Sequence, residues 1–272
     1  MTDKYGVIGN PIAHSKSPQI HALFAEQTEQ DISYEAIFSK TDKFTNTVKE
    51  FQETGGKGMN VTVPFKQEAW ELADTLSDRA KLAGAVNTLA FNDDGTIYGD
   101  NTDGAGMVAD IKVNLRVDFT GKKVLILGAG GAVRGVLLPV INESPADITI
   151  ANRTVSKAID LAAAFANETN IHACGFNELE GQRFDIIING TSAGLGGEMP
   201  PIPASIIAEG CCCYDMVYSD KPTAFTAWAT ENDACIASDG LGMLVGQAAE
   251  SFFIWRGVRP ETKPVMNTLR PE

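Results

Sequence analysis

A run of glycines directly after a short apolar segment is the strongest chemical signal in the chain. Residues 123–127 (KVLIL) are typical of a buried strand, and they lead into Gly128-Ala129-Gly130-Gly131-Ala132 and then a predicted helix. In this strand–turn–helix context the first glycine permits a tight turn, and Gly130 lets the backbone approach a pyrophosphate closely. The N–H groups at the helix N-terminus then supply donors to the anion. The motif therefore indicates dinucleotide binding.

The motif departs from the usual dinucleotide pattern at one position. The third glycine of that pattern would fall at residue 133, which is Val133. We expect Gly131 or Gly135 to relieve the contact between helix and strand instead. A corner in which the glycines serve packing alone is the alternative, but so many glycines in four positions are costly without a reason.

The residues after the next predicted strand bear on which dinucleotide is used. Residues 148–151 are followed by Asn152-Arg153-Thr154, with Lys157 one helical turn further on. An NAD site usually has Asp or Glu here, whereas an arginine can bind a 2'-phosphate bidentately. The position favours NADP over NAD, and the alternative is that Arg153 is a solvated surface charge.

Three polar clusters precede residue 104. They are His14-Ser15-Lys16-Ser17, the segment NVTVPFK at residues 60–66, and Asn87-Thr88 together with Asn101-Thr102-Asp103. Hydroxyl and amide groups near strand ends suit a small ligand rich in hydroxyls. Each cluster alone also has a structural explanation, because Ser17 before Pro18 is typical of a helix N-cap and Asp103 can cap the helix that follows.

The elements that would position these residues alternate between strands and helices. Strands are predicted at residues 4–9, 33–38, 57–63, 86–91, 96–98, 123–127, 148–151, 185–189, 211–217 and 234–237. Helices are predicted at residues 18–28, 42–54, 64–73, 104–115, 131–142, 155–166, 225–230 and 241–255. This alternation predicts an α/β protein with parallel sheets covered on both faces. The best domain boundaries fall near Asp103 and Gly240.

The composition of the chain limits the classes of molecule that we expect the protein to bind. The net charge of -13 repels phosphate backbones and anionic lipid, so neither nucleic acid nor a membrane is an expected partner. Five cysteines, three of them consecutive, fit neither a disulfide framework nor a zinc site, so no metal is predicted. We expect neither a signal peptide nor a membrane span, because residues 1–10 lack a basic region followed by a long apolar stretch and no apolar run is long enough to span a bilayer. These features predict a cytoplasmic protein with reduced thiols.

Taken together, the motifs resemble those of shikimate dehydrogenases over nearly the whole chain. The segments that carry the resemblance are GNPIAHSKSP, NVTVPFK, GAVNTL, GDNTDG, GAGGAVRG, NRT, NGTSAG, DMVY and DGLGMLVGQAA, in the order of the family. The resemblance implies two α/β domains with the site in the cleft between them. Residues 1–103 plus 241–272 would form a substrate-binding domain with a mostly parallel sheet, and residues 104–240 a Rossmann-like NADP-binding domain.

The resemblance also implies a role for each site residue. Lys66 and Asp103 would be the catalytic pair. The carboxylate and hydroxyls of the substrate would be bound by Ser15, Ser17, Asn60, Thr62, Asn87, Tyr218 and Gln247. NADP would be held by Gly128, Ala129, Gly130, Gly131, Ala132, Asn152, Arg153, Thr154 and Lys157, with Thr191, Met216, Gly240 and Met243 lining the nicotinamide or adenosine side.

The activity implied is the NADPH-dependent, reversible reduction of 3-dehydroshikimate to shikimate, a step of aromatic amino-acid (chorismate) biosynthesis. Three alternatives stay open: a quinate/shikimate dehydrogenase that uses NAD, a non-catalytic sensor that binds shikimate or NADP, and a dehydrogenase for another cyclic acid. The expected partner is a small-molecule substrate, and the protein is expected to be a monomer or a homodimer.

Overall fold

The computed structural model describes residues 2–270, with side chains described at all of these positions except 194 and 195. The chain divides into two compact units, one formed by Met1–Gly106 with Val245–Glu272 and the other by Met107–Leu244. Within the described residues, the strands form two six-stranded sheets, one in each unit. No helix in residues 2–270 is both long and apolar enough to cross a membrane.

The first unit contains a mixed sheet. Its elements are β1 (Asp3–Gly9), α1 (Ser17–Gln27), β2 (Ile32–Phe38), α2 (Phe44–Glu53), β3 (Gly56–Val61), α3 (Lys66–Leu72), β4 (Thr75–Leu76), α4 (Asp78–Ala83), β5 (Thr88–Phe91), β6 (Ile97–Asp100), the start of α5 (Asp103–Ala109), the later part of α9 (Leu241–Arg256) and α10 (Thr262–Leu269). The strand order is β2-β1-β3-β5-β6-β4. Strands β1, β2 and β3 are parallel, and β5 runs antiparallel to both of its neighbours.

One row of paired residues, which runs across neighbouring strands of this sheet, brings the polar clusters together. Val7, Asn60, Thr88 and Asp100 are register partners in successive strands. Because β5 runs antiparallel, its first residue lies beside the last residues of β3 and β6. The segments after β1, β3 and β6 and the segment before β5 therefore share one edge of the sheet.

The core of the first unit anchors the start of α3. Phe65, the residue before Lys66, is fully buried in a cluster with Ile8, Met59 and Leu89. Its ring stacks on that of Phe44, with 4.9 Å between the ring centroids. A fully buried phenylalanine is stabilised by roughly 1.5–3 kcal/mol relative to an exposed one, so the backbone at Lys66 is firmly placed.

The second unit contains an all-parallel sheet. Its elements are the end of α5, β7 (Lys123–Leu127), α6 (Gly131–Ile141), β8 (Asp147–Ala151), α7 (Val155–Ala164), β9 (His172–Cys174), β10 (Phe184–Asn189), β11 (Ile207–Asp215), α8 (Ala224–Glu231), β12 (Ile236–Ser238) and the start of α9. The strand order is β12-β11-β10-β7-β8-β9, and each neighbouring pair is parallel. The order reverses between β7 and β10, and ligands of doubly wound sheets bind at such a switch point.

The α/β class predicted from the sequence is confirmed, and the differences lie in short elements and helix ends. The sequence reading missed β4, α4, β9 and α10 because short polar segments carry little periodic signal. The helix predicted to reach residue 115 is α-helical through Ala109 and then forms a π-helical turn at Asp110–Asn114. Ser17 was wrongly predicted as an N-cap, since α1 begins at Ser17 with Lys16 at the N-cap position.

A glycine outside α6 relieves a contact of this helix, and the expectation for Gly131 is wrong, whereas that for Gly135 stays a prediction. Val133 is fully buried against the segment after β10. A methyl placed at Gly190 would lie 2.5 Å from Val133 Cγ2 and 3.0 Å from Met216 Sδ. Around Gly131, by contrast, no described heavy atom lies within 4 Å of such a methyl. The small residue that packing requires is thus Gly190, directly after the neighbouring strand.

Gly190→Ala is predicted to lower the free energy of unfolding by about 1–3 kcal/mol, because the added methyl overpacks against Val133. Urea unfolding followed by circular dichroism measures the change. Gly131→Ala is the matched control and should leave stability within about 0.5 kcal/mol. Adding Val133→Ala to Gly190→Ala should restore part of the loss. Equal stability of Gly190→Ala and the wild type would contradict the packing argument.

Candidate active site

Lys66 and Asp103 form an ion pair at the shared edge of the first sheet. Lys66 Nζ donates to Asp103 Oδ2 at 2.5 Å. Lys66 opens α3 shortly after β3, and Asp103 opens α5 after β6. Their side chains are 30% and 18% exposed, so solvent or a ligand can reach both. The pair has the reach and the donor chemistry for moving a proton to or from a bound molecule.

The amide of Asn87 fixes the other oxygen of Asp103. The backbone N–H of Thr102 donates to Asn87 Oδ1 at 2.8 Å, which settles the orientation of the amide. Asn87 Nδ2 then donates to Asp103 Oδ1 at 2.8 Å. Both oxygens of Asp103 therefore accept hydrogen bonds, one from Lys66 and one from Asn87, as an ionised carboxylate does.

Gln247, on α9, contacts the same amide. Asn87 Nδ2 lies 3.3 Å from Gln247 Oε1, and the hydroxyl of Thr102 donates to the backbone oxygen of Gln247 at 3.0 Å. A methyl placed at Gly106 would lie only 2.2 Å from the backbone nitrogen of Gln247, so this glycine lets α5 and α9 approach closely. Four predicted residues, Lys66, Asn87, Asp103 and Gln247, are thus connected by hydrogen bonds.

A buried ion pair holds the turn that carries Asp103. Arg79, on α4, donates to both carboxylate oxygens of Asp100 at 2.7 Å, and also to Glu250 on α9 at 3.0 Å. Asp100 Oδ1 accepts from the backbone N–H of Asn101 at 2.7 Å as well. Burial acts to raise the pKa of Asp100, but the hydrogen bonds and charge of Arg79 outweigh it and hold that pKa below its ordinary value.

Asn60 lies beneath this edge with its side chain turned into the protein. It is 5% exposed, and its Oδ1 accepts from the hydroxyl of Tyr34 at 2.7 Å and from His21 Nε2 at 3.2 Å. Its Nδ2 donates to Ser251 Oγ at 2.9 Å and to Thr88 Oγ1 at 3.2 Å. A direct contact between Asn60 and substrate stays a prediction, since both polar atoms of the side chain have protein partners.

The predicted serines and Thr62 come from the segments after β1 and β3. Ser15 Oγ accepts from the backbone N–H of Ser17 at 3.3 Å, and Ser17 is buried. Burial raises the pKa of Tyr34 well above its ordinary value, and a hydrogen bond with Ser17 acts in the opposite direction. A methyl placed at Gly9 would lie 2.5 Å from Thr62 Cγ2, so the two segments pack closely. Three hydroxyl side chains therefore lie in segments that share the edge with Lys66.

The sequence reading missed several residues that support this site. His21, Tyr34, Arg79 and Ser251 received no role, yet each contacts Asn60 or Asp100. His21 lies on α1, four residues after Ser17. Ser251 follows Gln247 by four residues on α9, a spacing that places both on one helix face, so it could have been found from that spacing.

The glycine loop of the second unit connects three strand ends. Gly128 has a φ of 104°, a conformation that disfavours other residues, and its N–H donates to Ala151 O at 2.8 Å. The N–H of Gly190 donates to Leu127 O at 2.9 Å. Gly130 occupies the N-cap position of α6 and has no side chain to fill the space before the first helical N–H groups. The loop and the helix terminus thus fit a pyrophosphate group.

The charges expected at a 2'-phosphate follow β8, the neighbour of β7 in the sheet. Arg153, Thr154 and Lys157 are exposed there. Asn152 Nδ2 donates to Thr154 O at 2.8 Å and shapes the turn. Two cations beside the glycine loop, in place of an acidic residue, fit the additional phosphate of NADP.

The remaining residues predicted to line the cofactor follow β10, β11 and β12. The hydroxyl of Thr191 donates to the buried Asn189 at 2.8 Å, and the N–H of Met216 donates to Asn189 O at 2.9 Å. A methyl placed at Gly240 would lie 2.4 Å from Met216 O. The N–H of Met243 donates to the hydroxyl of Tyr214 at 3.0 Å. These residues lie along the carboxyl edge of the second sheet.

Asp215, at the end of β11, is buried and connects β10 to the segment after β11 by hydrogen bonds. It accepts from Asn189 Nδ2 at 3.1 Å and from the hydroxyl of Thr223 at 2.6 Å. Burial raises the pKa of Asp215 above its ordinary value, and these hydrogen bonds act against that rise. Tyr218, predicted to bind the substrate carboxylate, lies three residues further on in the second unit and is 37% exposed.

Three protein-family models match this chain, and the residues they match lie in both units. A model of the shikimate dehydrogenase substrate binding domain matches residues 7–89, a model of shikimate / quinate 5-dehydrogenase matches residues 108–195, and a model of the shikimate 5'-dehydrogenase C-terminal domain matches residues 240–270. The chain belongs to the shikimate dehydrogenase family. The resemblance inferred from the sequence motifs is thereby confirmed.

Individual proteins and solved structures match nearly the full length of the chain. The shikimate dehydrogenase (NADP(+)) of Alkalilimnicola ehrlichii is 56% identical over 272 residues, which cover 100% of both chains. The crystal structure of an Ael1 enzyme from Pseudomonas putida has a TM-score of 0.93 and 46% identity, covering 100% of this chain and 99% of that one. Shikimate 5-dehydrogenase from Thermus thermophilus, solved with NADP(H) and shikimate, has a TM-score of 0.86 and 29% identity, covering 98% of each chain.

The buried histidine beneath the site predicts a dependence of stability on pH. Burial lowers the pKa of His21 to about 3, although the hydrogen bond with Asn60 acts to raise it. Among the described residues, Nδ1 of His21 has no hydrogen-bond partner, so a second proton there would be a buried charge without compensation. An unfolded histidine has a pKa of roughly 6.5, so between these two values the unfolded state binds more protons.

The stability contributed by neutral His21 is therefore complete above about pH 6.5 and is lost as the pH falls toward 3. We predict a loss of about 2 kcal/mol in the free energy of unfolding between pH 7 and pH 5, measured by urea titration. His21→Phe keeps an aromatic ring against Tyr34 and should reduce this loss, whereas the exposed His14→Gln should not change it. An unchanged pH dependence in His21→Phe would refute the assignment.

Proposed function

We propose that the protein catalyses the NADPH-dependent, reversible reduction of 3-dehydroshikimate to shikimate. The observation that carries the proposal is the Lys66–Asp103 ion pair, 2.5 Å long and accessible to a ligand. It occurs in a chain that is 56% identical to a shikimate dehydrogenase (NADP(+)) along its entire length. A ketone that accepts hydride also needs a proton at its oxygen, and this pair can provide it.

The proposal divides the chemistry between the two parts of the chain. Residues 1–103 with 241–272 bind the substrate and hold the proton donor, and residues 104–240 bind NADP. The hydrogen-bonded set of Lys66, Asn87, Asp103 and Gln247 supports the first assignment. The parallel sheet with the glycine loop at its switch point supports the second.

Lys66 is the proposed general acid and base. As a ketone is reduced, negative charge develops on its oxygen, and the ammonium of Lys66 donates a proton there. In the reverse direction the neutral amine accepts the proton of the hydroxyl. Asp103 accepts a hydrogen bond from Lys66 and so holds its Nζ in one direction, while Asn87 prevents Asp103 from rotating. NADPH, when bound, supplies the hydride.

The proposed cofactor residues fit NADP by their chemistry. Gly128, Gly130 and Gly131 with flanking Ala129 and Ala132 would hold the pyrophosphate, because the first turn of α6 offers its N–H groups there. Arg153 and Lys157, with Asn152 and Thr154, would bind the 2'-phosphate. Thr191, Met216, Gly240 and Met243 would line the rest of the cofactor.

The proposed substrate residues match a ring that carries one carboxylate and several hydroxyls. Ser15, Ser17 and Thr62 supply hydroxyls, and Asn60, Asn87 and Gln247 supply amides in the first unit. Tyr218 supplies a phenol from the second unit. These groups can donate to a carboxylate or exchange hydrogen bonds with hydroxyls. The relative from Thermus thermophilus, solved with shikimate, supports this class of ligand.

A second candidate function is a quinate/shikimate dehydrogenase that uses NAD. The family model matched by residues 108–195 bears both substrate names, which favours keeping this candidate. The cations at Arg153 and Lys157 argue against NAD. A non-catalytic sensor is a weaker candidate, because a protein that only binds ligand has no need of the Lys66–Asp103 pair.

The proposal extends to location and partners. All five cysteines are free thiols, and four of them are buried, which supports a reducing compartment such as the cytoplasm. The net charge of -13 argues against nucleic acid as a partner, leaving the small-molecule substrate. The protein would act as a monomer or a homodimer.

Lys66→Ala is predicted to lower kcat for shikimate oxidation by roughly 100- to 10,000-fold, because the general base is removed. The KM for shikimate should change little, and steady-state absorbance of NADPH measures both constants. Lys57→Ala removes an exposed lysine that pairs with Asp93 and serves as the control with unchanged kinetics. A large rise in KM with kcat unchanged would instead make Lys66 a binding residue.

Wild-type protein is predicted to oxidise shikimate rapidly with NADP and slowly with NAD, measured in separate cuvettes. Arg153→Ala should raise the KM for NADP by roughly 10- to 100-fold, since one charge-assisted interaction with the 2'-phosphate is lost. Its KM for NAD should stay the same, and the exposed Arg183→Ala serves as the control. Comparable rates with NAD would favour the quinate/shikimate candidate, and shikimate binding without turnover would favour the sensor.

A further inference from the structure

The hydroxyl of Ser251 joins α9 to three strand ends of the first sheet. Ser251 is fully buried on α9. Its Oγ accepts from Asn60 Nδ2 at 2.9 Å, and lies 2.7 Å from Thr88 Oγ1 and 3.2 Å from Thr102 Oγ1. Asn60 lies near the end of β3, Thr88 begins β5, and Thr102 follows β6. These are the segments that deliver Lys66, Asn87 and Asp103.

The Ser251 hydroxyl has a definite role as donor and acceptor. Asn60 Oδ1 accepts from Tyr34 and His21, so the amide is oriented with Nδ2 toward Ser251. An NH₂ group can only donate, and Ser251 Oγ is therefore an acceptor. The hydroxyl of Thr88 donates to Asn87 Oδ1, so the proton in the 2.7 Å contact between Ser251 and Thr88 comes from Ser251. Ser251 Oγ thus accepts from Asn60 and donates to Thr88, and it is fully buried among protein groups.

Three residues that contact Ser251, namely Thr88, Thr102 and Asn60, also form hydrogen bonds with Asn87. The hydroxyl of Thr88 donates to Asn87 Oδ1 at 2.9 Å, and Thr102 Oγ1 accepts from Asn87 Nδ2 at 2.9 Å. Asn60 Nδ2 also donates to the backbone oxygen of Asn87 at 3.2 Å. Asn87 in turn fixes Asp103. We therefore expect a displacement of Ser251 to shift Asn87 and, through it, Asp103 and Lys66.

We propose that Ser251 is a positioning residue for the reaction, acting through Thr88 and Thr102 on Asn87 and Asp103. The inference rests on the proposed dehydrogenase function. Ser251 does not touch the substrate, because it is fully buried and its hydroxyl accepts from Asn60 and donates to Thr88. Its effect is on the alignment of Asp103 and Lys66, and alignment errors near 1 Å cost on the order of 100-fold in rate.

Kinetics of Ser251→Ala test the proposal. The expected result is a roughly 5- to 30-fold fall in kcat for shikimate with NADP and a smaller rise in the KM for shikimate, because turnover depends more steeply on the alignment of Asp103 and Lys66 than binding depends on Asn87. Ser39→Ala is the matched control. Ser39 is also buried in the first unit and bonds to Thr47 Oγ1 at 3.1 Å and to Lys40 O at 3.0 Å. It should lower thermal stability and leave kcat unchanged.

Thr88→Val provides an independent variant of nearly the same shape. It should lower kcat in the same way as Ser251→Ala, because it removes the hydroxyl that links Ser251 to Asn87. In the double variant the two losses should not multiply, since both act through one network. Multiplying losses would overturn the proposed coupling. If Ser251→Ala does not fold, the kcat of Thr88→Val decides alone.

The outcomes separate the two proposals. Wild-type protein that does not oxidise shikimate would refute the proposed function, whatever the variants do. Active wild type together with a Ser251→Ala variant that is less stable but has unchanged kcat would overturn the positioning role alone. A large rise in KM at constant kcat would overturn it as well, because it would indicate a binding role.

Discussion

The hydrogen bond from the backbone N–H of Thr102 to Asn87 Oδ1 orients the polar side chains around Asp103 in the first unit. A backbone N–H can only donate, so this contact leaves Asn87 Nδ2 to face Asp103. An unpaired buried amide would cost roughly 1–3 kcal/mol, which makes the alternative orientation unfavourable. The position of Lys66 Nζ then follows, because it pairs with the oxygen that Asn87 does not use.

Both sheets bring polar residues to one edge, but they do so with different topologies. The parallel sheet of the second unit places the loops after β7, β8, β10 and β11 along one edge, where the glycine loop and the cations are found. The mixed sheet of the first unit reverses β5, so that a strand start joins the strand ends there. In both cases regular backbone pairing brings polar residues together that are far apart in sequence. Most of the polar groups beneath the edges are satisfied by other protein groups, which keeps the edges rigid.

The sequence predicted best what is encoded locally. The strand at residues 123–127 and the glycine loop were found because an apolar run, a turn and a helix follow each other within a few residues. The ion pair between Lys66 and Asp103 was assigned only through the resemblance to the family, since no local pattern relates residues 37 positions apart. Residues alone could not show that Gly190 compensates for Val133, because the contact joins α6 to the segment after β10, and these are neighbours only in the folded unit. Supporting residues such as Tyr34 and Arg79 were missed for the same reason.

The first unit is assembled from two separated stretches of chain, Met1–Gly106 and Val245–Glu272. Asn60 and Ser251 are 191 residues apart, so during synthesis the strand end exists long before its partner on α9. At ribosomal rates of about 5–20 residues per second, this interval lasts roughly 10–40 s. The second unit, by contrast, is continuous and can fold as it emerges. Vectorial synthesis thus leaves the proposed proton-transfer site without the support of Ser251 until α9 has been made.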